Sequence, residues 1–311
     1  LLSRGLGDVY KRQVTDDPKE LNPFSYVMEK HQRNYGGNGK IAKYMQAAYR
    51  YPENFSDFVY ASQLLQADGI RYGVEHYRRN RGRCMGAIYW QLNDCWPVIS
   101  WSSIDYYGRW KALHYYAKRF FAPVMLSCEE QSWMTVEADM NRQHFEFEKS
   151  IRLNVTNETL DAHRVLVKWA VRKTDATILR EEEQWLEVPA LSAVWMDKVE
   201  LPQIDCFNEY VSYEAWENDQ IISQGTVIFS YPKYFHYLNP GLAVRVDGDE
   251  IVVKAEAYAK SVEIRNENDD LILEDNYFDM NAGEYRVKIL DGKPDGLLSL
   301  IHISEPTRQE A

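Results

Sequence analysis

The chain has 311 residues, 45% of them hydrophobic and 14% aromatic, and a formal net charge of −11 at pH 7. That length has room for two or three domains, and an acidic balance with no basic stripe argues against non-specific nucleic-acid binding. No run of about 18 apolar residues occurs, so no membrane span is expected. Four widely spaced cysteines (Cys84, Cys95, Cys128 and Cys206) fit no zinc pattern and read as free or buried thiols.

The two ends stand apart. Residues 1–13, LLSRGLGDVYKRQ, and 298–311, LSLIHISEPTRQEA, do not extend the pattern of their neighbours. Both resemble translated library-adapter sequence and are treated as non-native ends. Neither reads as a signal peptide, because no apolar core follows a basic start. Between them, NPFSYVMEKHQ predicts a short helix, and GNGKIAKYMQAAYR a second, entered through Gly36, Gly37 and Gly39. His31 is read as a helix-end histidine satisfied by backbone rather than as a ligand. A long helix follows over Asn54 to Arg79, with Ser56 as N-cap and Phe58, Ala61, Leu65, Tyr72 and His76 at core spacing. Glu75 with Arg78 or Arg79 makes an i,i+3 or i,i+4 pair on it.

Residues Arg83 to Pro123 carry the densest information. Met85 to Trp90 is a short apolar run with the make-up of a buried strand. It stops at Gln91, Asn93, Asp94 and Pro97, with Trp90, Trp96, Trp101 and Trp110 in or beyond the stop. GRWKALHYYAKRFFAP then predicts a helix with Leu113, Tyr116, Ala117 and Phe120 on one face and Pro123 closing it. A buried strand whose C-terminal end displays amides, a carboxylate and indoles, followed by a helix, is one βα unit of an α/β barrel. The working face of a barrel is that strand end. Indole and carboxamide together suit sugars: the flat ring covers a C–H face while the amide and carboxylate bind hydroxyls. Asp105 and Lys111 are expected to pair and tie the loop to the helix, and Trp101, Asp105 and Trp110 to serve packing.

After Pro123 the pattern alternates. WMTVEA, FEKSIRLNVTNET, RVLVKWAVRK, EEQWLEV, WMDKVELP, EYVSYEAWEN and IISQGTVIFS predict the strands of an antiparallel immunoglobulin-type sandwich. Trp169, alternating with Val165 and Val167, is its expected core anchor. A break at YPKYFHYLNP precedes a second, smaller sandwich with a hairpin at Asp247-Gly248, expected to lack its final strand. Asn54, Asn154 and Asn157 begin glycosylation-type tripeptides, a weak signal. Glu181–Glu183 and the pair Asp269 and Asp270 read as solvated faces or turns.

GAIYWQLNDCWPVISWSSIDYYGRWKALHYY closely resembles the last barrel strand and helix of the β-mannosidases of glycoside hydrolase family 2. The resemblance continues through YASQLLQADGIRYGVEHYRRNRG and DNYFDMNAGEYRV, over about residues 18 to 295. It implies the C-terminal part of a (β/α)8 TIM barrel at 14–122, followed by immunoglobulin-like β-sandwiches at 123–232 and 233–297. It implies a retaining exo-β-mannosidase releasing terminal β-D-mannose from glycans or manno-oligosaccharides. The other family 2 activities (β-galactosidase, β-glucuronidase, exo-β-glucosaminidase) and a non-catalytic carbohydrate-binding module are the alternatives.

Retaining glycosidases need two carboxyls about 5–5.5 Å apart. In the family both are glutamates on earlier barrel strands, in motifs that do not occur here. The resemblance therefore implies a fragment inactive by itself, its partner being the missing N-terminal part of the same polypeptide. It also implies that Trp90 is the platform under the sugar, that Asn93 and Asp94 fix the loop or bind hydroxyls, and that Trp96 lines the entrance. The substrate would be a β-mannoside oligosaccharide or glycan. No Gly-rich phosphate loop, metal-spaced His pair or Ser/His/Asp arrangement appears, and no cofactor is expected.

Overall fold

The computed structural model describes residues 14–15, 17–84, 86–136, 146–267, 269–294, 298–303 and 305–310. Residues 1–13, expected to be a non-native end, lie outside these. The chain divides into two compact units: Leu1–Tyr72, Ile88–Lys118 and Asn239–Ala311 form one, Gly73–Ala87 and Arg119–Leu238 the other. Immunoglobulin-like β-sandwiches with a few helices make up the fold, as the sequence predicts.

Four α-helices occur among the described residues: α1 (Tyr26–Lys30), α2 (Gly37–Ala48), α3 (Phe55–Arg79) and α4 (Ala112–Phe120). The Ser25 hydroxyl caps α1 by accepting from Met28 N. Helix α3 is capped by Asn54 rather than Ser56: Asn54 Oδ1 accepts from Asp57 N at 3.0 Å, while its amide donates to Asp57 Oδ2. Its buried face also differs from the expected stripe. Phe58, Ala61 and Leu64 are buried, but Tyr72 and His76 are exposed, and Val74, Glu75, Arg78 and Arg79 take the inner positions of the last turns. In α4 the expected face is the observed one, with Leu113, Tyr116, Ala117 and Phe120 all buried. No described helix is long and apolar enough to cross a membrane.

The unit holding 119–238 is a sandwich of two four-stranded sheets. Its strands are β1 (Val124–Gln131), β2 (Ser150–Asn157), β3 (His163–Lys173), β4 (Ile178–Val188), β5 (Ser192–Trp195), β6 (Val199–Glu200), β7 (Glu209–Glu217) and β8 (Gln220–Ile228). One sheet runs β1-β2-β5 with β6 also on β2; the other runs β4-β3-β7-β8. Val165, Val167, Trp169 and Val171 alternate inward from β3 and meet Leu126, Leu153 and Val155 of the facing sheet in one core. Trp169, 3% exposed, is the expected anchor.

Turn chemistry sets the registers. Asn218 and Asp219, at φ +50° and +60°, make the two-residue β7–β8 hairpin that places Glu217 opposite Gln220. Gly225 faces Tyr213 across this hairpin, where a Cβ would lie 2.5 Å from the phenol oxygen.

One expectation is corrected in this unit. Trp133–Thr135, expected to be a strand, is a single 3₁₀ turn. Ser132 and Thr135 cap each other reciprocally there, and the Trp133 ring stacks on Tyr234 at 5.2 Å. The strand of that sheet is instead β1, directly after Pro123. Asn154 and Asn157 are fully buried, Asn157 donating to Asp161 O, Pro189 O and Val188 O, so neither presents a glycan acceptor in the folded chain. At the end of α3, Arg78 donates to Phe120 O and Ala122 O, Arg79 to Cys128 O, and the expected Glu75–Arg79 pair forms at 3.5 Å.

The other unit contains the second sandwich: β9 (Ala243–Asp247), β10 (Glu250–Ala255), β11 (Ala259–Arg265), β12 (Ile272–Leu273), β13 (Phe278–Met280), β14 (Gly283–Asp291), β15 (Ser299–His302) and β16 (Glu305–Glu310). Its sheets run β12-β14-β10-β9 and β13-β11-β15-β16. The β9–β10 hairpin turns at Gly248, φ +66°, beside the expected Asp247. β15 pairs with β11 and buries Leu300 and Ile301.

Helices α3 and α4 reach β11 through Tyr60 and Tyr116. The ladder of β11 shifts register between Ala259 and Val262, with Ser261 at φ +56°. That bulge turns the Ser261 carbonyl to Tyr60 Oη (2.6 Å), and its hydroxyl lies 3.4 Å from Tyr116 Oη. Tyr277 Oη donates to Glu263 and to Gln63, and the amide of Ala112, opening α4, also donates to Gln63.

Candidate functional site

The segment expected to be a buried barrel strand is different in kind. Met85 lies outside the described residues, and 86–90 carry no strand pairing among those described. A parallel strand needs hydrogen-bonding neighbours on its edges and cover on both faces. Here Ile88 is fully exposed and Trp90 is 70% exposed. The Trp90–Gln91 peptide is cis.

Beyond Trp90 the chain is pinned to itself. Gln91 N donates to Trp101 O, Ser103 N to Gln91 O, and Ile104 N to Leu92 O at 2.8 Å. Isolated bridges join Asn93 to Ile104 and Ile104 to Trp110, and Lys111 N reaches Ser103 O at 3.0 Å. The residues that flank the indole therefore sit on a backbone held at several points.

Asp94 is the hub of this loop. Only 7% exposed, its Oδ2 accepts from Ser100 Oγ at 2.7 Å and from Ser102 Oγ, with Lys111 Nζ 3.7 Å away. Gln91 Nε2 reaches the other oxygen at 3.3 Å. Lys111 is itself 1% exposed and donates to Ser102 Oγ at 2.8 Å. A buried carboxylate facing a buried ammonium through two serines is satisfied, and it is costly to dismantle. Lys111 was expected to pair with Asp105; the carboxylate found beside it is that of Asp94. Asp105 Oδ1 accepts from the Tyr107 and Arg109 amides, and Oδ2 lies 3.1 Å from Arg109 Nε.

The two remaining predicted residues differ. Asn93 is exposed, and its Nδ2 makes a 3.4 Å contact with Asp94 O. Trp96 is half-buried between His31, ring centroids 5.1 Å apart, and Arg33, whose guanidinium lies 5.6 Å from the indole centroid. His31 is a clamp: its Nδ1 contacts Pro97 O at 2.7 Å, and its backbone oxygen accepts from Ile99 N at 2.8 Å.

The serines were not singled out from the sequence, although SWSS inside a tryptophan-rich stretch is the signal that marks them. Ser103 Oγ also joins Tyr89 Oη (2.8 Å) to His114 Nδ1 (3.1 Å), and burial lowers the His114 pKa below the ordinary imidazole value. No group of three or more metal-binding side chains occurs among the described residues.

Comparison with known proteins places these features. The family described as Mannosidase Ig/CBM-like domain matches residues 149–234, and a mannosidase Ig-fold domain matches 237–289. β-Mannosidase B of Thermothelomyces thermophilus is 29% identical over 301 residues, covering 89% of this chain and 34% of that protein. β-Mannosidase of Capra hircus is 41% identical over 102 residues, 29% of this chain and 12% of that protein. Among solved structures, a β-D-mannosidase from Dictyoglomus thermophilum superposes with a TM-score of 0.78 at 24% identity, over 93% of this chain and 35% of that one. An exo-chitosanase of Amycolatopsis orientalis shares the fold at TM-score 0.64 and 14% identity, covering 95% of this chain and 40% of its own. The chain spans about a third of the length of the β-mannosidases it matches over most of its own length.

Proposed function

We propose that the chain is a C-terminal part of a β-mannosidase of glycoside hydrolase family 2, a reading supported by its matches to that region, and that its Trp90 loop is one wall of a β-mannoside pocket. In this reading the rest of the pocket, including both catalytic glutamates, comes from a preceding part of the same polypeptide. The reaction is exo-hydrolysis of a terminal non-reducing β-D-mannose with retention: one glutamate protonates the leaving oxygen and the other attacks the anomeric carbon. The Trp90 indole lies under the sugar ring, where its π-face favours the positive charge that builds in an oxocarbenium-like transition state. Asp94 acts through position: its Oδ2 is committed to Ser100, Ser102 and Lys111 and its Oδ1 to Gln91, so its work is to hold the lip on which Trp90 stands. Asn93, exposed beside it, offers a carboxamide to sugar hydroxyls, and Trp96, set by His31 and Arg33, borders the entrance.

The observation that carries this reading is an indole 70% exposed on a loop whose neighbouring backbone is pinned. A bare tryptophan on a fixed support is a costly feature without a ligand to cover it. The test is hydrolysis of p-nitrophenyl β-mannoside by a chain extended upstream through a whole barrel. Trp90→Ala should lower kcat/KM by roughly 30-fold, the equivalent of about 2 kcal/mol for a desolvated cation–π contact. An unchanged rate would sink the assignment of Trp90. The 311-residue chain alone should release no p-nitrophenol, and release would show that the carboxyls lie within it.

A further inference from the structure

The outer face of the sheet β4-β3-β7-β8 breaks the usual pattern of a sandwich, in which outward positions are polar. Trp185 of β4 lies opposite Leu166 of β3, Leu166 opposite Trp216 of β7, and Trp216 opposite Ile221 of β8. Side chains directly opposite one another share a face of the sheet. These four apolar groups therefore form one row across all four strands, on the side away from Val165, Val167 and the core. Trp185 is 54% and Ile221 43% exposed, and Leu166 and Trp216 are partly so. None of the four belongs to the Trp90 loop.

Neighbouring side chains steady the row. The Arg164 guanidinium lies 4.5 Å from the Trp185 centroid, and Lys168 Nζ 5.3 Å from that of Trp216. Trp216 Nε1 donates to Glu214 Oε2 at 2.9 Å. With a cation against it and more than half its surface still exposed, the Trp185 indole keeps its remaining surface in water. Adjacent strands stand about 4.8 Å apart, so the two indoles, two strands apart, are anchored about 10 Å from each other. A lone exposed apolar side chain is ordinary, but four in register make a patch.

Charge and shape choose the ligand. Arg164 pairs with Glu187 at 3.4 Å and Lys168 with Glu183 at 3.6 Å, while Glu214 adds a further carboxylate. The borders of the row thus carry no surplus positive charge to attract an anion. A peptide strand would add to the edge of a sheet rather than lie across its face. A β-1,4-linked hexose chain is ribbon-like and turns each ring over relative to the last. Every second sugar presents the same C–H face, at close to the separation of these indoles. Uncharged, it stacks on the row while its hydroxyls stay largely in water, so no paired side chain has to give up its partner.

We propose that this face binds a linear, uncharged β-1,4-linked glycan, laid across the strands along Trp185, Leu166 and Trp216. The test is calorimetric titration of the 311-residue chain with β-1,4-mannohexaose, β-1,4-mannobiose and a β-1,4-oligomannuronate of the hexaose's length. Mannohexaose should bind in the low millimolar range, mannobiose roughly tenfold more weakly because it covers one indole, and the oligomannuronate more weakly than the hexaose. Trp185→Ala should weaken hexaose binding roughly tenfold, and Trp185→Phe, which keeps an aromatic face, should retain most of it. The ratio of hexaose to biose affinity is read on the unmodified chain, so it decides the matter even where a variant fails to fold. Trp195→Ala, on β5 of the other sheet, should leave binding unchanged. Equal affinity for hexaose and biose, preferred binding of the oligomannuronate, or no binding by the folded chain at about 20 mM hexaose would overturn the proposal. So would loss of binding on Trp90→Ala but not on Trp185→Ala, which assigns the glycan to the Trp90 loop. Dimerisation in sedimentation that Trp185→Ala abolishes would give the face to a second copy of the chain instead.

Discussion

In the sandwich of β1 to β8, every inward valine of β3 is covered by the facing sheet, and the polar residues alternate outward. Between Gly86 and Trp96 the arrangement is reversed: the large apolar groups Ile88, Trp90 and Leu92 face solvent, while Asp94 turns inward with Lys111. The sandwich supplies both faces of its own core. The loop is ordered by hydrogen bonds and leaves its apolar side uncovered. The contrast suggests that the first region folds for its own stability, whereas the second holds a surface for something outside the described residues.

The sharpest way to break this comparison is to remove the anchor of the self-sufficient region. Trp169→Ala should cost about 4 kcal/mol, since a buried Trp truncation combines lost transfer energy with a residual cavity. Urea unfolding followed on the sandwich should show that loss, and a change below about 1 kcal/mol would mean that Trp169 is not its keystone. Asp94→Ala ranks next, at about 3 kcal/mol, because it removes the carboxylate opposite a buried ammonium. A cycle with Lys111→Met separates charge from packing: the double variant should be more stable than Asp94→Ala alone. Equal stability would mean that the pair does not hold the loop.

How far these regions could be read beforehand follows from where their partners lie in the chain. The alternation in RVLVKWAV identifies β3 and the inward side of Trp169, because a strand's facing pattern is local. The α4 stripe was legible for the same reason. β1 was not: Val124 to Cys128 are all buried, so the run lacks the alternation that marks a strand, and it follows a helix after only a few residues. The α3 cap was misread because Asn54 and Ser56 are both capping types, and only the hydrogen bond to Asp57 N chooses between them. The loop shows the same limit more strongly. Asp105 and Lys111 are neighbours in sequence, but the chain folds back through Ser100 and Ser102 to bring Asp94 against Lys111. A single segment carries no sign of that return. The exposed indole was legible only as a residue type at a strand end, and its exposure depends on which segments do not cover it.

The second sandwich extends the comparison through pH. His302 on β15 is buried, and burial pushes its imidazole down to about 4 from the ordinary 6.5. The folded state therefore keeps this histidine neutral, while the unfolded chain takes up its proton as pH falls below 6.5. The stability contribution is fully present above 6.5 and is lost progressively down to about 4, amounting to about 3 kcal/mol. Thermal unfolding of the second sandwich should fall across that window and flatten in His302→Leu. A pH profile identical in both chains would mean that β15 does not bury this ring.

The smallest expected effect is the most telling for the loop. Trp90→Ala should change the unfolding free energy of the 311-residue chain by no more than about 0.5 kcal/mol, because a side chain already in water has little burial to lose. Set beside the loss expected for Trp169→Ala, this separates two tryptophans of one chain by their surroundings alone. If Trp90→Ala instead destabilised the chain by about 2 kcal/mol or more, the indole would be packed in solution. The lip would then be part of a core, and its claim on a sugar would pass to Asn93 and Trp96.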